Sequence, residues 1–336
     1  MYSELLAALL EGEGDRWSVG GTLVRQEVKG RGYWYHQTRA GGRSHKRLLG
    51  ADTEAVRDEI ARVRQQLAAN RDRGRNRRVL VRQLRAAGYL TLDALSGKVL
   101  AALAAAGAFR MPLVLVGTHA FRSYAALLGV RLPEAAAVTS DVDLAQDHGV
   151  SVAVPSETRI RPNFEALLRG VGGFEPVPGF ERPPVPTRWR LGEAGFSVEL
   201  LTPNVGPERS APVLLPALGA HATPLRFLDF LIAEPEPAAL LRETGLLVRV
   251  PAPGRFALHK LIVAQRRSGA DRTKRRKDLA QAEALLRALV ADQPEELGEL
   301  WAELLGRGPK WRKVARASLA LLDEELRAAV ERTGAP

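Results

Sequence analysis

A chain of 336 residues with 46% apolar content has the material for more than one packed unit. It contains no cysteine, which excludes disulfides, thiolate metal sites and a cysteine nucleophile. Lys and Arg outnumber Asp and Glu by 49 to 38, a formal net charge of +11. Such a balance favours polyanions such as RNA, DNA or free nucleotides, although an arginine-rich surface can also be plain solvated charge. No apolar run is long enough to span a membrane, and Met1–Glu11 has acidic residues without a basic start. The expected location is therefore the cytoplasm.

In chain order, Met1–Leu10 predicts a short helix. Thr22–Val28 and Tyr33–Thr38 predict strands of a hairpin module, with glycine turns at Gly30–Gly32 and Gly41-Gly42. Tyr33, Trp34 and Tyr35 sit among arginines and lysines, so they can either stack on bases or pack on the next helix. Asp52 or Thr53 can cap a helix to about Ala69, with Val56, Ile60, Val63 and Leu67 as its apolar stripe. The basic run Arg71–Arg78, broken by Gly74, predicts a solvated turn or a nucleic-acid contact, and two helices follow at about Arg77–Ala87 and Leu92–Ala106. Leu113–Val116 predicts a buried strand and Thr118–Leu128 a helix. Phe164–Leu168 is predicted helical and Phe196–Leu201 a strand, while the proline-rich stretches Pro176–Pro186 and Pro203–Pro216 predict loops. The last third predicts a helix at Phe227–Ile232, a break at Pro235–Pro237 and a strand at Leu246–Val250. Helices are then predicted near Phe256–Arg266, Arg276–Leu289, Pro294–Leu305 and Trp311–Thr333.

Two segments carry chemistry. In Thr139-Ser-Asp-Val-Asp-Leu144, Asp141 and Asp143 alternate with apolar residues, so on a strand both carboxylates point the same way and can chelate Mg²⁺. Gly117-Thr118 stands between a buried strand and a helix start, where a close backbone, a helix N-terminus and a hydroxyl can cradle phosphate. Glu199, between Val198 and Leu200, is a third acid expected on a neighbouring strand. The six histidines lack a zinc spacing, though His119 and His259 flank the motifs. No Walker, Rossmann or Gly-x-Ser-x-Gly pattern is present.

These motifs resemble the DNA polymerase beta-type nucleotidyltransferase superfamily: a strand, a glycine turn at a helix start, Asp-x-Asp on the next strand, and a later acid. More narrowly, the chain resembles a bacterial group of nucleotidyltransferases related to abortive-infection toxins and minimal nucleotidyltransferases. That likeness rests on Val116–Tyr124, Thr139–Leu144, Val198–Pro203, Phe256–Leu261 and Arg276–Ala280, and on Tyr33–Tyr35 and Leu48–Gly50. It covers about Gly21 to Leu289. The resemblance implies that Gly117 and Thr118 touch a triphosphate, that Asp141, Asp143 and Glu199 bind metal, and that Glu199 assists deprotonation. Lys260 would neutralise triphosphate from a helical domain, and Lys277 and Asp278 match a recurring pair of the nucleotide site. Three departures stand out: Thr118 for the usual serine or glycine, Glu199 for the usual aspartate, and a longer gap before Asp141 that implies an inserted loop around Val130–Ala137.

The expected fold class is α+β: a nucleotidyltransferase-type mixed sheet flanked by helices, an N-terminal β-hairpin and helical module, and a C-terminal helical domain. The expected divisions are 1–50 (β-rich), 51–110 (helical), 111–205 (catalytic core) and 206–336 (mainly helical). The expected reaction is Mg²⁺-dependent transfer of an NMP from an NTP, such as ATP, to an acceptor hydroxyl. RNA, with a tRNA 3′ end as the candidate, is the preferred acceptor, with a toxin-like or defence role and an operon-encoded partner protein in view. The alternatives are transfer to a protein or small molecule, or a non-catalytic nucleic-acid-binding protein on a decayed fold.

Overall fold

The computed structural model describes residues 1–13, 21–40, 43–179, 184–192, 195–207, 210–267 and 271–334. The predicted turn at Gly41-Gly42 falls outside them. Helix α1 (Tyr2–Leu10) is followed by a three-stranded antiparallel meander, β1 (Thr22–Val28), β2 (Arg31–Ala40) and β3 (Arg43–Ala51), in that spatial order. Lys29 and Gly30 both take positive φ between the paired ends Val28 and Arg31, which is the geometry a tight two-residue hairpin needs. Helix α2 (Glu54–Ala86) is capped by the Thr53 side chain, which accepts from the Val56 amide.

Helix α2 corrects the sequence reading. Where the sequence predicts a turn through Arg71–Arg78 and a fresh helix after it, one continuous helix of 33 residues runs through. At 1.5 Å per residue this is a rod of about 50 Å. Its first half buries Val63 and Leu67 against Leu23 and Leu49 of the meander. Its second half buries Leu80, Val81 and Leu84 with Leu5, Leu9, Ala239 and Leu241. Anchored at both ends, the rod tolerates Gly74 in its middle, where a Cβ would meet nothing within 4 Å. Gly74→Ala should therefore stabilise the rod by about 0.5–1 kcal/mol. Amide exchange over residues 68–79 should slow, and faster exchange would contradict the continuous helix.

Helix α3 (Ala94–Ala105) is capped by Asp93, and β4 (Val114–Val116) leads directly into α4 (Gly117–Leu127). A 3-10 turn at Glu134–Ala137 occupies the inserted loop. Then follow β5 (Asp141–Ala145), α5 (His148–Ala153), α6 (Phe164–Gly172), β6 (Glu175–Val177), β7 (Arg188–Leu191) and β8 (Phe196–Pro203). After them come β9 (Val213–Leu215) and β10 (Ala220–Leu225). The sheet is mixed, ordered β4-β5-β8-β10-β9, with β7 also on β8 and β6 on β7. Strands β5, β8 and β10 pair in parallel, and β4, β7, β6 and β9 join antiparallel. Two predicted loops thus contain strands, β6 in the first and β9 in the second. Strands β9 and β10 extend the sheet past residue 205.

Helix α7 (Leu228–Leu231) precedes a ribbon of β11 (Pro235–Leu240) and β12 (Leu246–Pro251). The prolines predicted to break the chain are accommodated because a two-stranded ribbon leaves each strand one unpaired edge. The C-terminal helices are α8 (Pro253–Arg266), α9 (Arg272–Asp292), α10 (Pro294–Gly306), α11 (Pro309–Leu319) and α12 (Glu324–Thr333). The predicted single helix Trp311–Thr333 is two, because Asp323 caps a new start by accepting from the Leu326 amide. One continuous core runs from Leu92 to Val330 and joins the sheet to these helices. The observed class is α+β, a mixed sheet flanked by helices. Among the described residues no helix is long and apolar enough to cross a membrane.

Candidate active site

Alternation on β5 and β8 buries Val142, Leu144, Val198 and Leu200 and turns Asp141, Asp143 and Glu199 to the opposite face. The registers place Asp143 opposite Val116 on one side and Glu199 on the other, and Glu199 opposite Arg188. The end of β4, Asp143, Glu199 and Arg188 therefore form a row across four strands. Arg188 donates to Glu199 Oε2 at 2.5 Å. Thr139 donates its hydroxyl to Asp141. Asp143 is pushed up to about 7, by burial first and then by the charges of Asp141 and Glu199, against the pull of Lys260 and Arg188.

Gly117 begins α4 at φ +66°, and a Cβ there would lie 2.3 Å from Asp143 Oδ2. Only glycine fits both the backbone angle and the approach of the carboxylate. Thr118 is buried, and its hydroxyl accepts from Gln281 Nε2 at 3.5 Å rather than facing outward. No side chain caps α4, so its first amides are left to a ligand or solvent.

From α8 and α9 come the predicted basic residues. Lys260 Nζ donates to Asp278 Oδ1 at 2.7 Å, and Arg267 Nε to Asp278 Oδ2 at 3.1 Å. Lys260 and Asp278 are both buried. Lys277 donates to the Val138 carbonyl at 3.0 Å. Its pKa is lowered by burial and by Lys260, against Asp141, Asp278 and Asp143. Gln281 donates to the Ala136 carbonyl at 2.7 Å, so α9 holds the inserted loop just ahead of Asp141. His119 and His259 are buried and held neutral, their pKa values lowered to about 4 and about 3 by burial, reinforced by Arg122 and Lys260 respectively.

All eight predicted site residues thus gather around one end of the sheet, linked by register, hydrogen bond or charge. They do not form a finished cage: among the described residues no three His, Asp or Glu side chains are grouped to hold a metal ion. The Glu199 carboxylate is engaged by Arg188. The donor set nonetheless suits a hard divalent cation, because two partly buried carboxylates one residue apart repel each other without one. Arg188, Thr139, Gln281 and Arg267 are the neighbours the sequence did not single out. The signal for Arg188 is the alternation Arg-Trp-Arg-Leu191, which sends Trp189 into the core and Arg188 to the acidic face.

No curated protein matches the chain. It is similar to the crystal structure of an antigenic nucleotidyltransferase-like protein from Paracoccidioides brasiliensis at 17% identity, over 68% of this chain and 94% of that one. The TM-score of that pairing is 0.33. A family model described as nucleotidyltransferase matches residues 94–306, from the start of α3 to the end of α10, and so spans the whole acidic row and the helices that face it. The chain belongs to this nucleotidyltransferase family.

Proposed function

We propose that the protein transfers an NMP from an NTP to the hydroxyl of an acceptor, with RNA as the acceptor. The observation that carries the reading is the apposition of Gly117 and Asp143: a helix start suited to phosphate lies against a carboxylate whose partner, Asp141, shares its face. Asp141 and Asp143 would hold Mg²⁺, which when bound supplies positive charge to the triphosphate and the departing pyrophosphate. The first amides of α4 receive the triphosphate. Thr118 contributes through that helix start, because its hydroxyl is engaged by Gln281. Lys260 and Lys277 add positive charge from the helical side, with Asp278 fixing the position of Lys260. Glu199 draws the acceptor hydroxyl's proton, and Arg188, its present partner, steadies phosphate. RNA is favoured over a protein or small molecule by the net charge of +11.

The test is to incubate the protein with each α-labelled NTP, Mg²⁺, and either total RNA or total protein. Label in RNA is expected. Label in protein alone would overturn the acceptor, and no label in either would overturn the reaction.

A further inference from the structure

The positive charge is not spread over the molecule. Residues 21–86, the meander and α2, hold seventeen Lys and Arg against six Asp and Glu, a surplus of eleven that equals the surplus of the entire chain. On α2 the arginines fall into a line. Arg71, Arg75, Arg78, Arg82 and Arg85 follow a 4-3-4-3 spacing, which keeps them on one face of a helix, and all five are exposed. The face that packs on the core, Leu80, Val81 and Leu84, is turned away from them. Arg71 reaches the Gly21 carbonyl at 3.3 Å, so the line starts where the meander meets the rod. Among the described residues no carboxylate pairs with Arg78, Arg82 or Arg85. Carbonyl and carboxylate partners therefore consume little of the charge, and the ridge spans about 21 Å.

The aromatic residues of the meander divide between its faces. Trp34 turns toward α2, where its indole donates to Asp52 at 3.0 Å and Arg64 lies over its ring at 5.3 Å. Tyr33 and Tyr35 pair with Gln26 and Val24 on the opposite face, where both rings are half-buried.

We infer that the arginine ridge of α2, together with Tyr33 and Tyr35 of the meander, binds single-stranded RNA. The ridge tracks successive phosphates, and the accessible parts of the two half-buried tyrosine rings stack on unpaired bases. A duplex offers no exposed base faces to those tyrosines, so it gains only the ridge's phosphate interactions. The inference rests on RNA being the proposed acceptor.

The test measures binding without NTP or Mg²⁺, by fluorescence anisotropy of an unstructured 20-nucleotide RNA over a salt series. In wild type, log affinity should fall with log salt. Arg→Gln at positions 71, 75, 78, 82 and 85 should flatten that slope by up to about 3.5, at about 0.7 for each phosphate no longer neutralised. Affinity near 100 mM salt should drop at least about tenfold. Glutamine keeps helix propensity, so circular dichroism should be unchanged. A control carrying Lys310, Arg312, Lys313 and Arg316 to Gln on α11 should bind as wild type. An equal loss in that control, an unchanged slope in the ridge variant, or a preference for duplex RNA would overturn the inference. Should the ridge variant misfold, ultraviolet crosslinks from the wild-type protein decide: they should map to residues 21–86, and mapping elsewhere overturns it. Label reaching only protein while ridge-dependent binding persists would sink the acceptor and spare the ridge. RNA labelled equally well by the ridge variant would do the reverse.

Discussion

Asp143→Asn should abolish nucleotide transfer, by about three orders of magnitude, and at the same time make the metal-free protein more stable above pH 7. The first effect follows from removing one of the two charges that face the transferred group, since losing a single preorganised stabilising group costs about 10²–10³ in rate. The second follows from the direction of the shift. Asp143 sits at about 7 against an ordinary 3.8, so the folded protein prefers it neutral. Its contribution to stability is complete below the ordinary value and is lost as pH rises through 7. Asparagine cannot ionise and does not lose it. Melting in EDTA from pH 5 to 9 should show the wild type falling relative to the variant, by about 1–3 kcal/mol at the alkaline end. Parallel melting curves would contradict the burial and crowding of this carboxylate. Equal transfer by the variant would remove Asp143 from the reaction.

Lys260→Met should cost about 3–5 kcal/mol of stability, because it leaves Asp278 buried with Arg267 as its remaining ionic partner. That loss alone would say nothing about the reaction. The double variant Lys260→Met, Asp278→Leu separates the two roles, since an apolar pair of similar size commonly restores what a broken buried pair loses. The double variant should recover to within about 2 kcal/mol of wild type in urea unfolding. Its KM for NTP should nonetheless rise at least about tenfold, as expected when a charge near the triphosphate is gone. A double variant that is both stable and fully active would make Lys260 a structural residue.

The acidic row was legible because each of its strands satisfies two local rules at once. Val142 and Leu144, like Val198 and Leu200, alternate with acids, and a period of two admits no other placement of the carboxylates. Gly117 was legible as a turn, but its closeness to Asp143 is a property of the β4–β5 register and has no local trace. Arg188 was obscured by the preceding prolines, which read as loop. Helix α2 was misread for a physical reason. Its apolar stripe pauses between Leu67 and Leu80 because that stretch buries no apolar side chain, and without apolar burial the helical period leaves no hydrophobic mark. The split between α11 and α12 had a local signal in Asp323 followed by Glu324 and Glu325, a capping residue with an acidic first turn.

The grip of α9 on the loop ahead of Asp141 bears on how this protein can be taken apart. Lys277 and Gln281 hold the Val138 and Ala136 carbonyls, and one apolar interior runs from the strands into the helices. A fragment ending near Pro251 would lose both clamps and expose the sheet side of that interior. The acidic strands are thus not a transplantable cassette: whatever they do, they do as one inseparable body with the C-terminal helices.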